Sequence, residues 1–507
     1  MEYQDSPSYS NCENVKATLK ARGICVVVPT YNNVGTLAKV VREVQNYCEN
    51  VIVVNDGSTD GTAQILQEIP NIEVVEYKRN KGKGYALKKG FKKALSLGFA
   101  YAITMDADGQ HLASDIPLLL QANQEYPGSL IIGERELEGV QRSKGSDFAN
   151  KFSNFWFCIQ TGRKLPDTQS GYRLYPLKKL YGLNLLTSRY EAELELLVFP
   201  SWHGIRLVSV PIHVYYPPKE ERVSHFRPGK DFLRISVLNT VLCALAIIYG
   251  LPLRVGRFLL RIFRTVFSLL FFSFFMFLVI TPLSWVFVKT GKMTDRKRDN
   301  LRKVIYHASR FIMLRAGIPG TIFSYKVCDG INFNQAHVII CNHQSHLDLM
   351  CLLIFTPNVI FLTNDWVWNN PFYGFLIRAA EYYPIHEGIE DLLPKLDRLA
   401  QKGCSIAVFP EGTRSKDCSI GRFHQGAFHI AEQLGLDVLP MCLYGPGKVL
   451  PKKSYLLNKW PIRIEVEKPI TSSQLKEMGD NRVQASKMRA WYMRKYERMS
   501  NEIEQNV

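Results

Sequence analysis

Residues 51–62 have the sequence VIVVNDGSTDGT, which decides the fold predicted for the first part of the chain. Four apolar, β-branched residues lead straight into an acidic, glycine-rich turn. This pattern is typical of a buried strand that ends in a ligand-binding loop. Another apolar run, ICVVV, lies at residues 24–28, and the apolar residues of 36–48 have helical spacing. The order strand, helix, strand predicts a parallel α/β sheet.

The same alternation continues on both sides of a long apolar region. Further strands are predicted at 71–77, 101–106, 337–341, 359–363, 404–409 and 436–444, with a helix at 85–98. The sequence therefore predicts an α/β protein with two α/β domains joined by an apolar, membrane-associated helical segment. The predicted parts are a polar N-terminal extension (1–22), the first domain (23–230), a membrane-associated helical hairpin with a basic linker (231–300), the second domain (301–470) and a charged C-terminal helix (471–507), which we expect to be solvated.

The composition is that of a globular protein with an anionic partner. The chain has 507 residues, of which 46% are hydrophobic and 21% charged, so more than one hydrophobic core is expected. A net charge of +17 favours nucleic acid, an anionic membrane or phosphate-bearing substrates. The eleven cysteines form no C-x-x-C pair, which favours a reducing compartment over disulfides or structural zinc. The polar N-terminus lacks a secretory signal, and we expect a cytosolic start.

Two segments are apolar enough to enter a membrane. Residues 235–253 and 265–288 contain no charged side chain and have nearly the length that crosses a hydrocarbon core. Twelve Lys and Arg residues flank the pair and four lie in the link 254–264, which predicts a hairpin with both domains in the cytoplasm. The amphipathic link, RVGRFLLRIFR, also allows a monotopic hairpin in one leaflet. A buried helix pair in a soluble protein is the other alternative.

Charged residues follow the predicted strands of the first domain, at the sheet edge where ligands bind. Asp106 and Asp108 can together hold Mg²⁺ or Mn²⁺, which bridges a diphosphate. Asp56 is placed to accept hydrogen bonds from a base or ribose, and Lys83, in a glycine-rich loop, can reach a phosphate. Taken singly, the D-x-D pair is also typical of a turn and DGSTDGT of a capped helix start.

Together and in order, VVVPTYNN (26–33), VVNDGSTDGT (53–62), NKGKGYAL (80–87) and TMDADGQH (104–111) resemble family 2 glycosyltransferases, particularly the polyprenyl-phosphate sugar transferases. The resemblance covers about residues 24–230 and implies a nucleotide-sugar-binding sheet of the GT-A type. It implies that the D-x-D pair holds the metal and that a nucleotide-diphosphate sugar is the donor. The residues then expected to bind this co-substrate are Pro29, Tyr31, Asp56, Lys83 and Asp106.

The later motif DTQSGYR (167–173) resembles the acceptor-side motif of that family. The resemblance places Asp167, Gln169 and Arg173 near the active site. An inverting transfer needs a general base, or none where the acceptor is already a phosphate. The candidate bases are Asp167, Glu191 and Glu193, and the sequence does not choose among them.

The stretch NHQSHLD (342–348) follows the apolar run HVIIC and allows three interpretations. A zinc site needs more ligands than its two histidines, and His386, His424 and His429 are only loose additions. An ordinary helix start has Ser345 as N-cap and Asp348 in the first turn. In the catalytic interpretation Asp348 orients His343, which takes a proton from a substrate hydroxyl; His343 must then precede the helix. His346 is expected to be a packing or solvent residue.

Downstream, FPEGTRS (409–415) places an arginine in a glycine-containing loop that suits a phosphate or carboxylate. With NHQSHLD this motif resembles the glycerolipid acyltransferases of the lysophosphatidic acid acyltransferase family, over roughly residues 300–465. The resemblance implies that His343 is the base with Asp348 as its partner, and that VLP (438–440) is the last motif. It implies that the acceptor phosphate is bound by Glu411, Gly412, Thr413 and Arg414. In YYPIHEG (382–388), His386 stands where the family usually has arginine, which favours an unphosphorylated or glycosylated acceptor.

These features predict a bifunctional enzyme on the cytoplasmic face of a bacterial inner membrane. It resembles fused enzymes of bacterial aryl-polyene and flexirubin pathways. The expected partners are membrane lipids and a lipid or amphiphilic acceptor, with acyl-CoA or an acyl-carrier protein as acyl donor. Nucleic acid is not expected, because the basic residues cluster beside the apolar segments. The alternative is a membrane protein in which only one domain is active and the other is a binding module.

Overall fold

A computed structural model describes residues 12–135, 144–215, 228–289, 292–371, 374–385 and 388–504. The chain divides into two compact units, Met1–Arg257 and Phe258–Val507. His386 and the flanking basic residues Lys219, Arg222 and Arg227 lie outside the described residues. Each unit is built on its own seven-stranded sheet.

The first unit is a mixed sheet with helices on both faces. Its strand order is β3-β2-β1-β4-β6-β5-β7, and β6 runs antiparallel to β4 and β5. The strands are β1 (Ile24–Thr30), β2 (Val51–Asn55), β3 (Ile72–Glu76), β4 (Tyr101–Thr104), β5 (Leu130–Arg135), β6 (Arg173–Pro176) and β7 (Leu207–Ile212). The helices are α1 (Cys12–Ala21), α2 (Leu37–Gln45), α3 (Thr62–Glu68), α4 (Lys83–Ser96), α5 (Ile116–Glu125), α6 (Lys144–Thr161), α7 (Leu177–Leu180), α8 (Ala192–Trp202) and α9 (Pro228–Leu245), and α10 (Leu251–Phe274) crosses the unit boundary.

Strand β1 shows why this sheet needs an unbroken apolar run. Val26 and Val28 pack into one buried cluster, whereas Cys25 and Val27 pack into another on the opposite face. A parallel strand covered on both faces must be apolar at every position. This strand confirms the α/β fold predicted from the sequence.

Helix α1 corrects the predicted N-terminal extension. Val15 and Leu19 are almost fully buried in the same cluster as Val26. Residues 12–21 therefore belong to the first unit, although their polar composition predicted a separate segment. Their two apolar positions lie four residues apart, on one helix face, which is enough to dock a short helix.

The second unit has the strand order β11-β10-β12-β9-β13-β14-β8, with β13 and β14 antiparallel. Its strands are β8 (Phe323–Val327), β9 (Val338–Cys341), β10 (Val359–Thr363), β11 (Tyr383–Pro384), β12 (Ser405–Val408), β13 (Val438–Tyr444) and β14 (Ile462–Val466). Its helices are α11 (Thr281–Lys289), α12 (Asp295–Phe311), α13 (Leu347–Leu352), α14 (Asp365–Trp368), α15 (Gly374–Ala379), α16 (Ile389–Gln401), α17 (Gly426–Leu434), α18 (Pro446–Val449), α19 (Ser472–Met478) and α20 (Asn481–Glu504).

The C-terminal helix is part of the second core, which corrects the expected solvated face. Tyr492 and Met499 of α20 are fully buried. The Tyr492 hydroxyl donates to the carbonyl of Ile340 at 2.7 Å and accepts from the amide of Met441 at 3.1 Å, so it bridges β9 and β13. The preceding helix α19 starts with a capping box between Thr471 and Gln474.

The apolar region forms one helical run where the sequence predicted a hairpin. Residues 228–289 are helical throughout, with π-helical turns at 246–250 and 275–280. Within them Phe232–Leu283 is long and apolar enough, by length and composition, to cross a membrane. The link 254–264 contains no proline, and its one glycine, Gly256, lies within α10; a turn there would leave backbone groups unpaired.

The four link arginines have a different role from the one predicted. Arg254, Arg257, Arg261 and Arg264 are spaced three, four and three residues apart, which puts them on one face of α10. Arg254 donates to the carbonyl of Thr161, and Arg257 donates to that of Trp202. These carbonyls end α6 and α8, where a cation satisfies the exposed helix terminus. Two of the four charges therefore brace helices in the first unit.

Candidate active sites

The loops after β1 and β2 are tied together at the carboxyl edge of the first sheet. The amide of Asn32 donates to the Ser58 hydroxyl at 3.0 Å, and the amide of Thr59 donates to the Asn32 side chain at 2.8 Å. Pro29 lies in β1, and Tyr31 follows it and is half-buried. Hydrogen bonds thus hold together the two loops at the sheet edge where the sequence predicted nucleotide binding.

Asp56 shapes the next loop along this edge. Its two carboxylate oxygens accept from the amides of Lys81 and Gly82, both at 2.8 Å. Gly57 permits this approach, because a Cβ there would lie 2.6 Å from the Arg79 carbonyl carbon and its φ is +68°. The buried Asp56 therefore fixes the glycine-rich loop that leads into α4.

Lys83, the first residue of α4, joins two carboxylates. Its Nζ lies 2.6 Å from Asp106 Oδ1 and 2.8 Å from Glu193 Oε1. Burial alone lowers the pKa of this ammonium, but the two negative charges outweigh burial and raise it above its usual value. The structure thus brings together three residues that the sequence named separately. Gly171 makes room for them, because a Cβ there would lie 2.8 Å from Asp106 Oδ2.

The D-x-D carboxylates have different protonation behaviour. Burial raises the pKa of Asp106, but nearby positive charge, chiefly that of Lys83, lowers it by a larger amount. The pKa of Asp106 is therefore below its usual value. Burial and then the negative charge of Asp106 raise the pKa of Asp108 to about 6. Burial lowers the pKa of His111 to about 4, so its imidazole is neutral at pH 7. His111 Nδ1 lies 4.0 Å from Asp106 Oδ2 and has no hydrogen-bond partner among the described residues.

These donors fit a divalent cation of the Mg²⁺ or Mn²⁺ type. Carboxylate oxygens are the ligands such ions prefer, and a neutral imidazole suits Mn²⁺. Over the described ranges, no group of three or more His, Cys, Asp and Glu side chains is arranged to hold a metal. Asp106 and Asp108 would hold the ion together with oxygens of the substrate, as Mg²⁺ sites commonly do.

The acceptor-side motif is built around a buried ion pair. Arg135 donates to both oxygens of Asp167, and the amide of Gln169 donates to the same carboxylate at 3.0 Å. Arg173 is fully buried and donates to the carbonyls of Thr168 and Glu193. Asp167 and Arg173 therefore brace the motif through buried contacts. Gln169 is the one residue among these three whose side chain is exposed.

In the second unit, the structure brings His343 and Asp348 together as the catalytic interpretation requires. Strand β9 ends at Cys341 and α13 begins at Leu347, so His343 lies on the intervening loop. His343 Nδ1 lies 2.9 Å from Asp348 Oδ2. That oxygen also accepts from the amides of Gln344 and Ser345, at 2.6 and 2.8 Å. The fully buried Asp348 thus folds the loop and orients the imidazole.

The start of α13 differs from the sequence expectation. His346 is its N-cap residue, whereas Ser345 was expected there. The structure adds one contact that the sequence did not predict: the imidazole of His343 stacks on Phe409, with ring centroids 4.2 Å apart and planes 23° from parallel. Of the other histidines considered as zinc ligands, His429 instead pairs with Glu390 at 2.9 Å.

The FPEGTRS loop lies directly beside this pair. Glu411 accepts from the amides of His343 and Gly421, both at 2.9 Å, and burial raises the pKa of its carboxyl. The amide of Ser415 donates to the carbonyl of His343 at 2.8 Å. Glu411 is thus a brace between loops, and the neighbouring Gly412, Thr413 and Arg414 line the more exposed part of the turn.

Three residues of these sites escaped sequence reasoning. Arg135 ends β5 and belongs to no motif, so nothing in the sequence pairs it with Asp167. His111 ends the motif TMDADGQH, and its position three residues after Asp108 was the sequence signal that could have placed it near the carboxylates. Lys452 donates to the Thr413 hydroxyl and the Arg414 carbonyl from a loop that no motif marks.

Comparison with known proteins identifies both units. The sequence model of glycosyl transferase family 2 matches residues 25–173, and that of the acyltransferases matches residues 323–444. The UDP-N-acetylglucosamine–dolichyl-phosphate N-acetylglucosaminyltransferase of Methanococcus voltae is 30% identical over 216 residues, which cover 38% of this chain and 86% of that protein. The chain belongs to glycosyl transferase family 2 and carries a second, 1-acylglycerol-3-phosphate acyltransferase-like domain.

The relatives of the second unit are longer than the matched region. A chloroplastic 1-acyl-sn-glycerol-3-phosphate acyltransferase of Brassica napus is 36% identical over 142 residues, 27% of this chain and 41% of that protein. The chain thus spans less than half the length of this curated acyltransferase. The solved acyltransferase PlsC of Thermotoga maritima is 18% identical with a TM-score of 0.40, and the match covers 48% of this chain and 97% of that one. The protein is a two-domain transferase.

Proposed function

We propose that the protein is a bifunctional, membrane-associated enzyme. The first unit transfers a sugar from a nucleotide-diphosphate sugar to a lipid or amphiphilic acceptor, with Mg²⁺ or Mn²⁺. The second unit transfers an acyl group from acyl-CoA or an acyl-carrier protein to a hydroxyl of a lipid or glycolipid. The observation that carries the proposal is the hydrogen-bonded His343–Asp348 pair beside the FPEGTRS loop, in a chain that also holds the Lys83–Asp106–Asp108 cluster.

The acyl transfer follows from the orientation of His343. Asp348 accepts a hydrogen bond from the Nδ1–H group of His343, so Nε2 is the unprotonated nitrogen that can act as the base. Nε2 takes the proton of the acceptor hydroxyl while the oxygen forms a bond to the thioester carbonyl carbon. The carbon–sulfur bond then breaks, and the imidazolium returns its proton to the departing thiolate. Asp348 stabilises the imidazolium in between, because its carboxylate is fully buried and lies 2.9 Å from the ring nitrogen.

The sugar transfer requires little acid–base chemistry when the acceptor is a phosphate. The relative from Methanococcus voltae acts on dolichyl phosphate, according to its name, and we extend a polyprenyl-type phosphate to this chain. A phosphate oxygen attacks the sugar C1 without a base, which fits the pairing of Asp167 with Arg135. A bound divalent ion supplies charge neutralisation of the departing diphosphate. Lys83 lies where it can add a second positive charge, and Glu193 holds its ammonium.

Membrane association is supported by two apolar surfaces of the chain. The helical run Phe232–Leu283 is long enough to cross a bilayer, and its most apolar part is only 11% buried. In α6, Phe148, Phe155 and Ile159 are more than half exposed, at 61%, 57% and 53%. Their spacing puts them on one helix face, the arrangement of a helix that lies in a membrane interface. We propose that both units lie on the cytoplasmic side. A single continuous crossing would put the two ends of the helical run on opposite sides, so this proposal requires the run to lie along one leaflet, as the amphipathic, arginine-bearing face of α10 favours.

The test compares the lipids made by three variants of the full chain. Mass spectrometry of lipids from cells that express the wild type, Asp108→Ala or His343→Ala would reveal which products depend on each site. We expect Asp108→Ala to lose the glycosylated product and His343→Ala to lose the acylated one, whereas the control His346→Ala keeps both. An unchanged lipid profile in either active-site variant would refute the corresponding half of the proposal.

A further inference from the structure

The segment 445–458 of the second unit links the two motifs of the acyltransferase site. The Ser345 hydroxyl donates to the carbonyl of Leu450 at 3.1 Å. Two residues later, Lys452 Nζ donates to Thr413 Oγ1 at 3.1 Å and to the carbonyl of Arg414 at 2.6 Å. The segment therefore touches the loop of the catalytic histidine and the FPEGTRS loop at the same time.

The same segment is anchored to the apolar helix. The amide of Leu457 donates to the Thr265 hydroxyl at 2.9 Å, and Arg264 donates to the carbonyl of the same Leu457 at 3.5 Å. Asn458 closes the segment by donating to the carbonyl of Lys448 at 2.9 Å. The backbone around Lys452 is thus held in a braced loop, and the two hydrogen bonds of Nζ place the ammonium beside Thr413 and Arg414.

The ammonium of Lys452 is bonded to uncharged groups only. Over the described residues, neither Lys452 nor Arg414 forms an ion pair with a carboxylate. The acidic residues of the loop are used otherwise: Glu411 accepts from two backbone amides, and Asp417 accepts from the hydroxyls of Ser415 and Ser419. Two adjacent cations therefore have no carboxylate counter-ion in the part of the chain that the structure describes.

The positive charge of this loop extends to the catalytic loop. Burial lowers the pKa of His346, and the positive charge of Arg414 lowers it further. Arg414 is therefore close enough to His346 to act on its titration. Ser415, the residue after Arg414, is bonded to the backbone of His343. The uncompensated charge lies beside the group that takes the proton from the acceptor.

We propose that Lys452 is a further residue of this site and that it binds, together with Arg414, the phosphate monoester that the family resemblance implies for the acyl acceptor. The proposal rests on the acyltransferase function proposed above. A monoester carries more than one negative charge at neutral pH, which two cations match. Arg414 can bind two of its oxygens as a fork, and Lys452 adds a point charge from the other side. The expectation of an unphosphorylated acceptor, drawn from His386, is the competing outcome.

The test removes the charge of Lys452 and keeps a hydrogen-bond donor. Lys452→Gln replaces the ammonium by an uncharged amide donor on a side chain that is one bond shorter. The matched control is Lys453→Gln, which removes one charge from the exposed neighbouring residue. Acyl transfer from oleoyl-CoA is measured in mixed micelles with 1-oleoyl-lysophosphatidic acid and, in parallel, with monooleoylglycerol, which lacks the phosphate. Lys452→Arg serves as a second, charge-conserving variant.

We expect Lys452→Gln to raise KM for the phosphorylated acceptor about tenfold and to change kcat less than about twofold, because one charged contact to the ligand is lost. KM for monooleoylglycerol stays unchanged, and Lys453→Gln and Lys452→Arg stay close to the wild type. Inhibition by glycerol 3-phosphate weakens by the same factor as KM if the headgroup is the ligand. If the variant weakens inhibition by inorganic phosphate but leaves inhibition by glycerol 3-phosphate and KM unchanged, Lys452 binds free phosphate. That result overturns the assignment to the acceptor.

Other outcomes separate the inference from the function on which it rests. An equal rise of KM for both acceptors means that Lys452 only braces the loop, which overturns the inference and leaves the acyltransferase function intact. A wild type that prefers monooleoylglycerol also overturns it. Absence of acyl transfer to either acceptor by the wild type overturns the acyltransferase function and the inference together. Acyl transfer to monooleoylglycerol by the same preparations shows that the second unit of each variant is folded, because this reaction depends on that unit and needs no phosphate contact.

Discussion

Arg135 and Asp167 form a two-point ion pair in the glycosyltransferase unit. Arg135 Nε lies 2.6 Å from Asp167 Oδ2, and Nη2 lies 2.9 Å from Oδ1. Burial raises the pKa of this carboxyl, but the hydrogen bonds and charge of Arg135 lower it below its usual value. An ionised carboxylate with both oxygens occupied is a poor general base. The pair instead fixes the loop that leads to Gly171, against which Asp106 and Lys83 pack.

We predict that Arg135→Met destabilises the first unit by about 3–5 kcal/mol, because it leaves the buried Asp167 without its partner. The double variant Arg135→Met/Asp167→Leu should recover most of this loss, since it removes both charges. Urea unfolding at pH 7 measures the two free energies of unfolding. Equal stability of Arg135→Met and the wild type would contradict this account.

The same pair has a defined pH window. Because the pKa of Asp167 is lower in the folded than in the unfolded chain, its stabilisation is present above the unfolded value of about 3.9. It is lost as the pH falls through the lowered folded value. The difference in stability between the wild type and the double variant should therefore shrink only below about pH 4.

The pKa of Asp108 predicts how metal binding depends on pH. Its carboxyl has a pKa of about 6, so below pH 6 a proton competes with the metal for this ligand. The Kd for Mn²⁺ should rise about tenfold for each pH unit below 6 and level off above it. Titration calorimetry or the electron paramagnetic resonance of free Mn²⁺ measures this without turnover. A pH-independent Kd between pH 5 and 7 in the wild type would exclude Asp108 as a titrating ligand.

The two sheets could be predicted from sequence because parallel strands covered on both faces leave uniform apolar runs. Residues 24–28, 51–55 and 359–363 are such runs, and each is a strand in the structure. The short antiparallel strand β6 escaped prediction because its apolar residues follow the charged motif DTQSGYR without a turn signal. Tyr492 escaped for another reason: α20 has a strongly charged sequence, and only a few of its positions enter the core.

The candidate sites were predictable where chemistry is local in the chain. His343 and Asp348 lie five residues apart, so a loop followed by a helix start is enough to join them. Arg135 meets Asp167 across 32 residues, and Lys452 meets Thr413 across 39. Such pairs depend on the order of strands in the sheet, which no single segment encodes. The link arginines belong to the same class, since their partners are the ends of distant helices.

The His343–Asp348 geometry predicts a specific loss in Asp348→Asn. Asparagine keeps the shape of the side chain, but it cannot stabilise the imidazolium by charge and can present an amide donor to Nδ1. We expect kcat for acyl transfer to fall by about 10²–10⁴, with KM for the acceptor within about threefold. Sugar transfer by the same preparation should not change. Retention of more than a tenth of the acyl transfer rate would show that Asp348 is not the orienting partner.

The exposed face of α6 predicts where the first unit meets the bilayer. Phe155 is 57% exposed on this helix, whereas the opposite face holds the acceptor-side loop through a hydrogen bond from Thr168 to Ser153 at 2.7 Å. Transfer of such a side chain into the membrane is favourable by about 1.5–3 kcal/mol. We therefore expect Phe155→Trp, in the full chain in nanodiscs with brominated lipids, to add a tryptophan signal that the lipids quench.

The position of that tryptophan should correspond to an interfacial helix, within about 10 Å of the boundary between headgroups and acyl chains. The matched control is Tyr181→Trp, at a side chain that is 81% exposed in the same unit and outside α6. Its added signal should be quenched only by an aqueous quencher such as iodide. If the two added tryptophans respond alike, α6 does not contact the membrane, and only the helix Phe232–Leu283 attaches the protein to the bilayer.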